Sequence, residues 1–163
     1  MARCIGSALM AMTLVALVGC STLQNGTAVG PEPTTVVLKA VDAKAHGGDI
    51  RYEVGDGKDN IGFWTDVADY VTWDLDLPAP GVYEVEVEFA CDAGQGGSTY
   101  AVKVGQSQIP GTVPATGDWT AFEKAFLGTM TLTKAGAQKL TVVSLTKAKQ
   151  AVMNLKAVTL RPR

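Results

Sequence analysis

The sequence predicts an all-β fold built from antiparallel sheets. Three observations lead there. Apolar and polar residues alternate through one segment after another from Thr35 onward, clusters of Gly, Pro, Asn and Asp separate these segments, and no window keeps an apolar stripe of helical period for three turns. Alternation with period two marks a half-buried strand. Eight or more short strands at such spacing indicate a sandwich or barrel. Strands with one clear polar face fit antiparallel sheets that turn one side to solvent.

In chain order, the first element is not part of the fold. Arg3 gives a short positive start, 5–18 is an apolar run broken only by small residues, and Leu17-Val18-Gly19-Cys20 ends it. Residues 1–19 read as a secretory signal, too short for a stable spanning helix. The ending resembles the bacterial lipobox, after which the cysteine is acylated and becomes the new N-terminus, so Cys20 is the expected lipidation site of a lipoprotein anchored to the cell envelope. The alternative is an ordinary signal with a chance cysteine. Ser21 resembles the usual choice for outer-membrane sorting. Residues 20–35, with Pro31-Glu32-Pro33, read as a flexible tether, and 36–163 as one domain large enough for a real core.

Of the three cysteines, Cys4 is expected to leave with the signal and Cys20 to be lipidated. Cys91 alone remains, so no disulfide is expected within the domain. With 14 basic and 16 acidic residues the net charge is −2. There is no basic patch to attract nucleic acid, and no second apolar run of membrane length, so any membrane attachment is through the lipid alone.

Strands are expected at 35–41, 50–54, 69–77, 82–91, 100–104, 122–132, 139–145 and 155–160. The third puts Val71, Trp73, Leu75 and Leu77 on one face; Pro78-Ala79-Pro80-Gly81 turns the chain; the fourth sends Tyr83, Val85, Val87, Phe89 and Cys91 inward. Glu84, Glu86 and Glu88 then share the outer face, as alternate strand positions must, and read as a solvated row rather than a metal site. Gly94-Gln95-Gly96-Gly97-Ser98 reads as a flexible hairpin loop.

Catalytic equipment is missing from the sequence. His46 is the one histidine and no paired Cys supports a zinc site. No nucleophile elbow, phosphate-binding loop or dinucleotide fingerprint occurs. Asp56, Asp59, Asp66, Asp92 and Asp118 lie in expected loops, where Asp is a common turn former, and nothing pairs two of them. The chain is therefore read as no enzyme, with no cofactor and no metal.

Two tryptophans point elsewhere. Trp64 and Trp119 are flanked by Gly, Asp and Thr, the residues of loops, whereas Trp73 alternates with strand apolars. A loop ring either packs over one end of the sandwich or offers a face to a ligand. A sugar stacks its C–H face on such a ring while a few polar groups read its hydroxyls. Trp64 and Trp119 are the candidate platforms, and Asp66, Asp118 and Asn154 the candidate polar readers.

The run Asn60-Ile61-Gly62-Phe63-Trp64-Thr65-Asp66-Val67-Ala68-Asp69-Tyr70-Val71 resembles the aromatic-containing loop and following strand of carbohydrate-binding modules of families six and thirty-five. Pro78-Ala79-Pro80-Gly81-Val82-Tyr83-Glu84-Val85 is similar to their next turn and strand. Thr116-Gly117-Asp118-Trp119-Thr120-Ala121-Phe122 is similar to their "TG-x-W" segment, and 136–142 with Met153-Asn154-Leu155 to their closing strands. The resemblance covers about 36–161. It implies a galactose-binding-like β-jelly-roll sandwich, Trp64 and Trp119 as the two stacking aromatics, and Asn154 as the amide beside them. It implies a glycan or polysaccharide ligand and association with a glycosidase or sulfatase. Those modules hold a structural calcium; the matching positions here are Lys39, Val41 and Lys156, whose side chains provide none of the hard oxygen ligands calcium needs, so that ion is expected to be absent. Lys156 shares parity with Val158 and Leu160, which puts its stem inward. The alternative function is a structural or protein-interaction envelope lipoprotein with a degenerate sugar site.

Overall fold

A computed structural model describes residues 30–163. The expected signal, the lipidation site Cys20 and most of the tether lie outside the described residues. Residues 30–35 form no regular structure and are exposed.

Eleven strands follow: β1 Val36–Lys39, β2 Lys44–His46, β3 Arg51–Gly55, β4 Lys58–Gly62, β5 Tyr70–Leu77, β6 Gly81–Ala90, β7 Thr99–Val104, β8 Ser107–Thr112, β9 Glu123–Leu132, β10 Gly136–Thr146 and β11 Asn154–Pro162. A 3-10 turn, Ala40–Asp42, interrupts the segment expected as a single strand over 35–41. One sheet has the order β3-β4-β11-β6-β9, with β1 also paired to β11, and the other the order β2-β5-β10-β7-β8. All pairings between strands are antiparallel. The sequence did not mark β2, β4 and β8, which are short and carry no run of alternating apolar residues.

The alternation places the core between the sheets. Val71, Trp73, Leu75 and Leu77 of β5 face Tyr83, Val85, Val87 and Phe89 of β6, all at most 2% exposed. Burial of so many large apolar side chains is the main favourable term in holding the sheets together. Trp73 Nε1 meets its hydrogen-bonding need at the Lys39 carbonyl, 2.7 Å away. Cys91 is free and fully buried at the end of the same face; burial, and then Asp92, push its thiol pKa up.

Three details differ from the sequence reading. Residues 94–98 do not close a hairpin, because β6 and β7 belong to different sheets; the segment crosses between them. Ser98 is buried there, accepting from Ala148 N at 3.1 Å, and Gln95 Oε1 accepts from Gln150 N at 3.1 Å. The crossing thereby props the loop after β10. The glutamate row is not merely solvated: Glu86 meets Lys124 and Arg161, each at 3.3 Å, and Glu88 meets Lys156 at 3.1 Å.

Lys156 is the third. Leu155 pairs with Phe89 and Ala157 with Glu88, with a register shift between them. The extra residue is Lys156, and a bulge of this kind breaks the in–out alternation. Leu155 and Val158 are therefore both in the core, while Lys156 turns outward to Glu88 and places its ammonium 4.7 Å from the centre of the Phe122 ring.

Candidate functional site

At one end of the sandwich the chain leaving β4 meets the loop 113–122, the loop 147–153 and the first residue of β11. The arrangement depends on the bend after Gly62. Phe63 has φ +53, in the left-handed region, which costs a non-glycine residue free energy and persists only where its surroundings enforce it. The bend breaks the alternation. Ile61 is buried, Phe63 is turned out with 43% of its surface exposed, and Trp64 is turned in with none exposed.

Trp64 therefore lies in the core and offers no stacking face. Its Nε1 donates to the Asp69 carbonyl at 3.2 Å, and its own carbonyl accepts from Val152 N at 2.9 Å. Of the two arrangements open to a loop ring, Trp64 adopts packing over the end of the sandwich. The aromatic that faces outward is its neighbour Phe63.

Phe63 lines a cavity of about 270 Å³ together with Glu53, Lys58, Thr65, Trp119, Gln150, Ala151 and Asn154. The β3–β4 hairpin supplies one wall. Glu53 Oε1 accepts from Lys58 Nζ at 2.9 Å and Oε2 from Asn60 Nδ2 at 3.3 Å. The carboxylate lies against Gly62, where a Cβ would collide with Glu53 Oε2, so glycine at 62 is what admits it. Trp119, half-buried, supplies another part of the lining, and its backbone oxygen accepts from Asn154 Nδ2 at 2.8 Å. Thr116 fixes the same loop, with its hydroxyl accepting from Cys91 N at 2.9 Å. Gln150 and Ala151 close the third side.

Of the sequence candidates, Trp119 and Asn154 thus line one cavity. Asp66 and Asp118 do not line it. Asp66 Oδ1 accepts from Ala68 N at 2.9 Å, and Asp118 Oδ1 accepts from Thr120 N at 2.7 Å and from its hydroxyl at 2.6 Å. Both carboxylates close their own turns, the ordinary use of Asp in loops. The bonds from Thr120, hydroxyl first, hold the Asp118 pKa below the usual range. Sequence reasoning missed Phe63, Glu53, Lys58, Thr65 and Gln150. Gly62 just before two aromatics was the available signal, since a glycine there lets the chain bend and a side chain approach closely.

The cavity offers aromatic surface, two side-chain amides, a hydroxyl and one ion pair. Glu53 is the one carboxylate among its lining residues, and Lys58 balances it. Such a set can stack an apolar face and exchange hydrogen bonds around it. Elsewhere, His46 stacks on Tyr70, with ring centroids 4.4 Å apart, and its Nε2 lies 2.8 Å from the Thr72 hydroxyl. Val41 is exposed, and Lys39 uses its carbonyl for Trp73.

No family model matches the chain, and no curated protein matches it in sequence. Solved structures do match in fold. The C-terminal CBM6 of LamC, a marine laminarinase from Zobellia galactanivorans, superposes with a TM-score of 0.62 at 16% identity, covering 78% of this chain and 99% of that one. The CBM6cm-2 carbohydrate-binding module of Cellvibrio mixtus lichenase 5A, solved in complex with cellotriose, gives 0.58 at 18% identity, covering 78% and 97%. The Podospora anserina GH26-CBM35 β-(1,4)-mannanase gives 0.59 at 19% identity, covering 81% of this chain and 28% of the enzyme. The chain shares the β-sandwich fold of these modules, in agreement with the fold that the sequence resemblance implied.

Proposed function

We propose that this chain is a non-catalytic glycan-binding domain, and that the sugar lies between Phe63 and Trp119. One observation carries the reading: two aromatic side chains and the Asn154 amide line a single cavity on a sandwich that shares its fold with carbohydrate-binding modules. The cavity, about 270 Å³, is at the small end of ligand sites, which run roughly 300–1,000 Å³ for drug-sized molecules. That suits one or two sugar rings. Glu53, Lys58, Thr65 and Gln150 surround the rings with donors and acceptors for hydroxyls.

So small a contact gives modest affinity, of order micromolar to millimolar. Weak single-site binding serves where the domain is held near its polymer by other means. The lipobox-like Leu17-Val18-Gly19-Cys20 supports anchoring at a bacterial cell envelope, and the mannanase that contains a similar module supports a role beside a glycan-degrading enzyme.

The test is a titration of the folded chain with laminari-, cello- and manno-oligosaccharides, followed by tryptophan fluorescence and calorimetry and extended on a glycan array. Saturable binding that Trp119→Ala abolishes at unchanged fold is the expected result. No response to any saccharide overturns the reading. Mass spectrometry of the mature N-terminus decides lipidation of Cys20 independently.

A further inference from the structure

Phe63 can serve as a wall only if its ring stays out of the core, and its backbone does not secure this alone. A left-handed φ at a bulky residue is held by what surrounds it. The surroundings include Arg51. Its guanidinium carbon lies 3.4 Å from the centre of the Phe63 ring. Arg51 stands opposite Gly62 in the β3–β4 register, and a residue without a Cβ there leaves the path to the next ring open. Arg51 Nη1 donates to the Asp49 carbonyl at 3.1 Å, which fixes the far end of the planar group. Phe63 lines the cavity and Arg51 is not among its lining residues, so the guanidinium meets the ring from outside the cavity.

We propose that Arg51 is a positioning residue: by stacking on the outer face of Phe63 it holds the ring as a fixed wall and leaves one face free for the ligand. The ligand part of this inference rests on the glycan reading; the ring part does not. Arg suits the role better than Lys, because a flat, weakly hydrated guanidinium lies parallel to a ring. A wall fixed before binding spares the ligand the loss of side-chain freedom on association.

The experiment compares wild type, Arg51→Ala, Arg51→Lys and Phe63→Ala, with phenylalanine rings labelled for NMR. Phe63→Ala identifies the Phe63 signals among the four phenylalanines. In Arg51→Ala the Phe63 ring signals should shift and average while those of Phe89 stay put. Affinity for the best-bound oligosaccharide should fall roughly two- to fivefold, the range an exposed cation–ring contact supports, with the fold intact and Tm lowered by no more than a few degrees. Arg51→Lys should recover part of both effects. Unchanged Phe63 signals in Arg51→Ala overturn the proposal. If wild type binds no glycan, the glycan reading fails, while the ring signals still decide the role of Arg51.

Discussion

Asn154 hands its side-chain N–H to the backbone oxygen of Trp119 at 2.8 Å, and so ties the cavity's aromatic loop to the first residue of β11. Trp119 lies in no strand; backbone bonds such as Thr116 N to the Cys91 carbonyl at 2.8 Å hold the start of its loop, and the Asn154 side chain holds Trp119 itself. Asn154 is 6% exposed, and removing its amide takes the donor from the Trp119 carbonyl in a part-buried bond. Asn154→Ala should cost about 1–3 kcal/mol in urea unfolding and weaken glycan binding about tenfold or more. Asn154→Asp, which sets a carboxylate oxygen against the carbonyl, should be worse on both counts. Equal stability of all three proteins would show that the bond does not hold the loop.

Trp64 and Trp119 should behave as opposites. Trp64 has no exposed surface and belongs to the core. Trp64→Ala should cost about 3–5 kcal/mol, as for large aromatic truncations in cores. Trp119→Ala should leave the unfolding free energy from urea titration within about 1 kcal/mol of wild type and abolish binding. The reverse pattern, stable Trp64→Ala and unfolded Trp119→Ala, would contradict a core Trp64 and a cavity-lining Trp119.

The exchange of roles between Phe63 and Trp64 shows what the sequence could and could not reveal. Long alternating strands such as β5 and β6 were legible because burial repeats every second residue and the pattern accumulates. The pattern around Phe63 was not, because one left-handed residue exchanges the faces of Phe63 and Trp64, and nothing in the identity of Phe announces such a φ. Lys156 failed for a related reason: the extra residue of a bulge shifts parity without leaving a compositional mark. Trp119 and Asn154 could be placed near each other only through the family resemblance. Glu53 stayed hidden because its carboxylate is brought to the cavity by a hairpin whose second strand, β4, carries too few apolar residues to read as one.

Gly62→Ala should separate the cavity from the fold. The new methyl group would occupy the place of the Glu53 carboxylate and lie 3.0 Å from Asn154 Oδ1. Glu53 is a flexible side chain that can swing away, so the loss of stability should stay below about 2 kcal/mol. The bonds to Lys58 and Asn60 would go with it, and binding should fall out of proportion to stability. Wild-type affinity in a folded Gly62→Ala protein would show that Glu53 does not contact the ligand.

Protonation offers a check on the opposite sheet. Asp74 is fully exposed, yet Lys139 at 2.7 Å and Lys44 at 2.9 Å hold its pKa down from 3.8 to about 2. A depressed folded-state pKa means that the contribution is present above the unfolded value, 3.8, and is lost as pH falls through about 2. The Asp74 carboxyl carbon should therefore titrate near 2 by NMR, and Lys139→Met should move the midpoint up toward 3.8. A midpoint unmoved by that substitution would mean that the pair does not form in solution.

Calcium should not change the stability of this domain. The ion needs several oxygen ligands, and at the positions where the resembled modules supply them this chain has Lys39, Val41 and Lys156. Lys156 adds a fixed positive charge, with its ammonium held by Glu88 at 3.1 Å and against the Phe122 ring, and a second cation there would meet direct repulsion. That ammonium also links β11 to the end of the Trp119 loop, since Phe122 follows Trp119 on the same stretch. Millimolar calcium and excess EDTA should leave Tm equal within error, whereas Lys156→Met should lower it by loosening that loop. Because a ligand that binds only the folded state must raise Tm as its concentration exceeds Kd, a rise of several degrees with calcium would show an ion site that these residues do not provide.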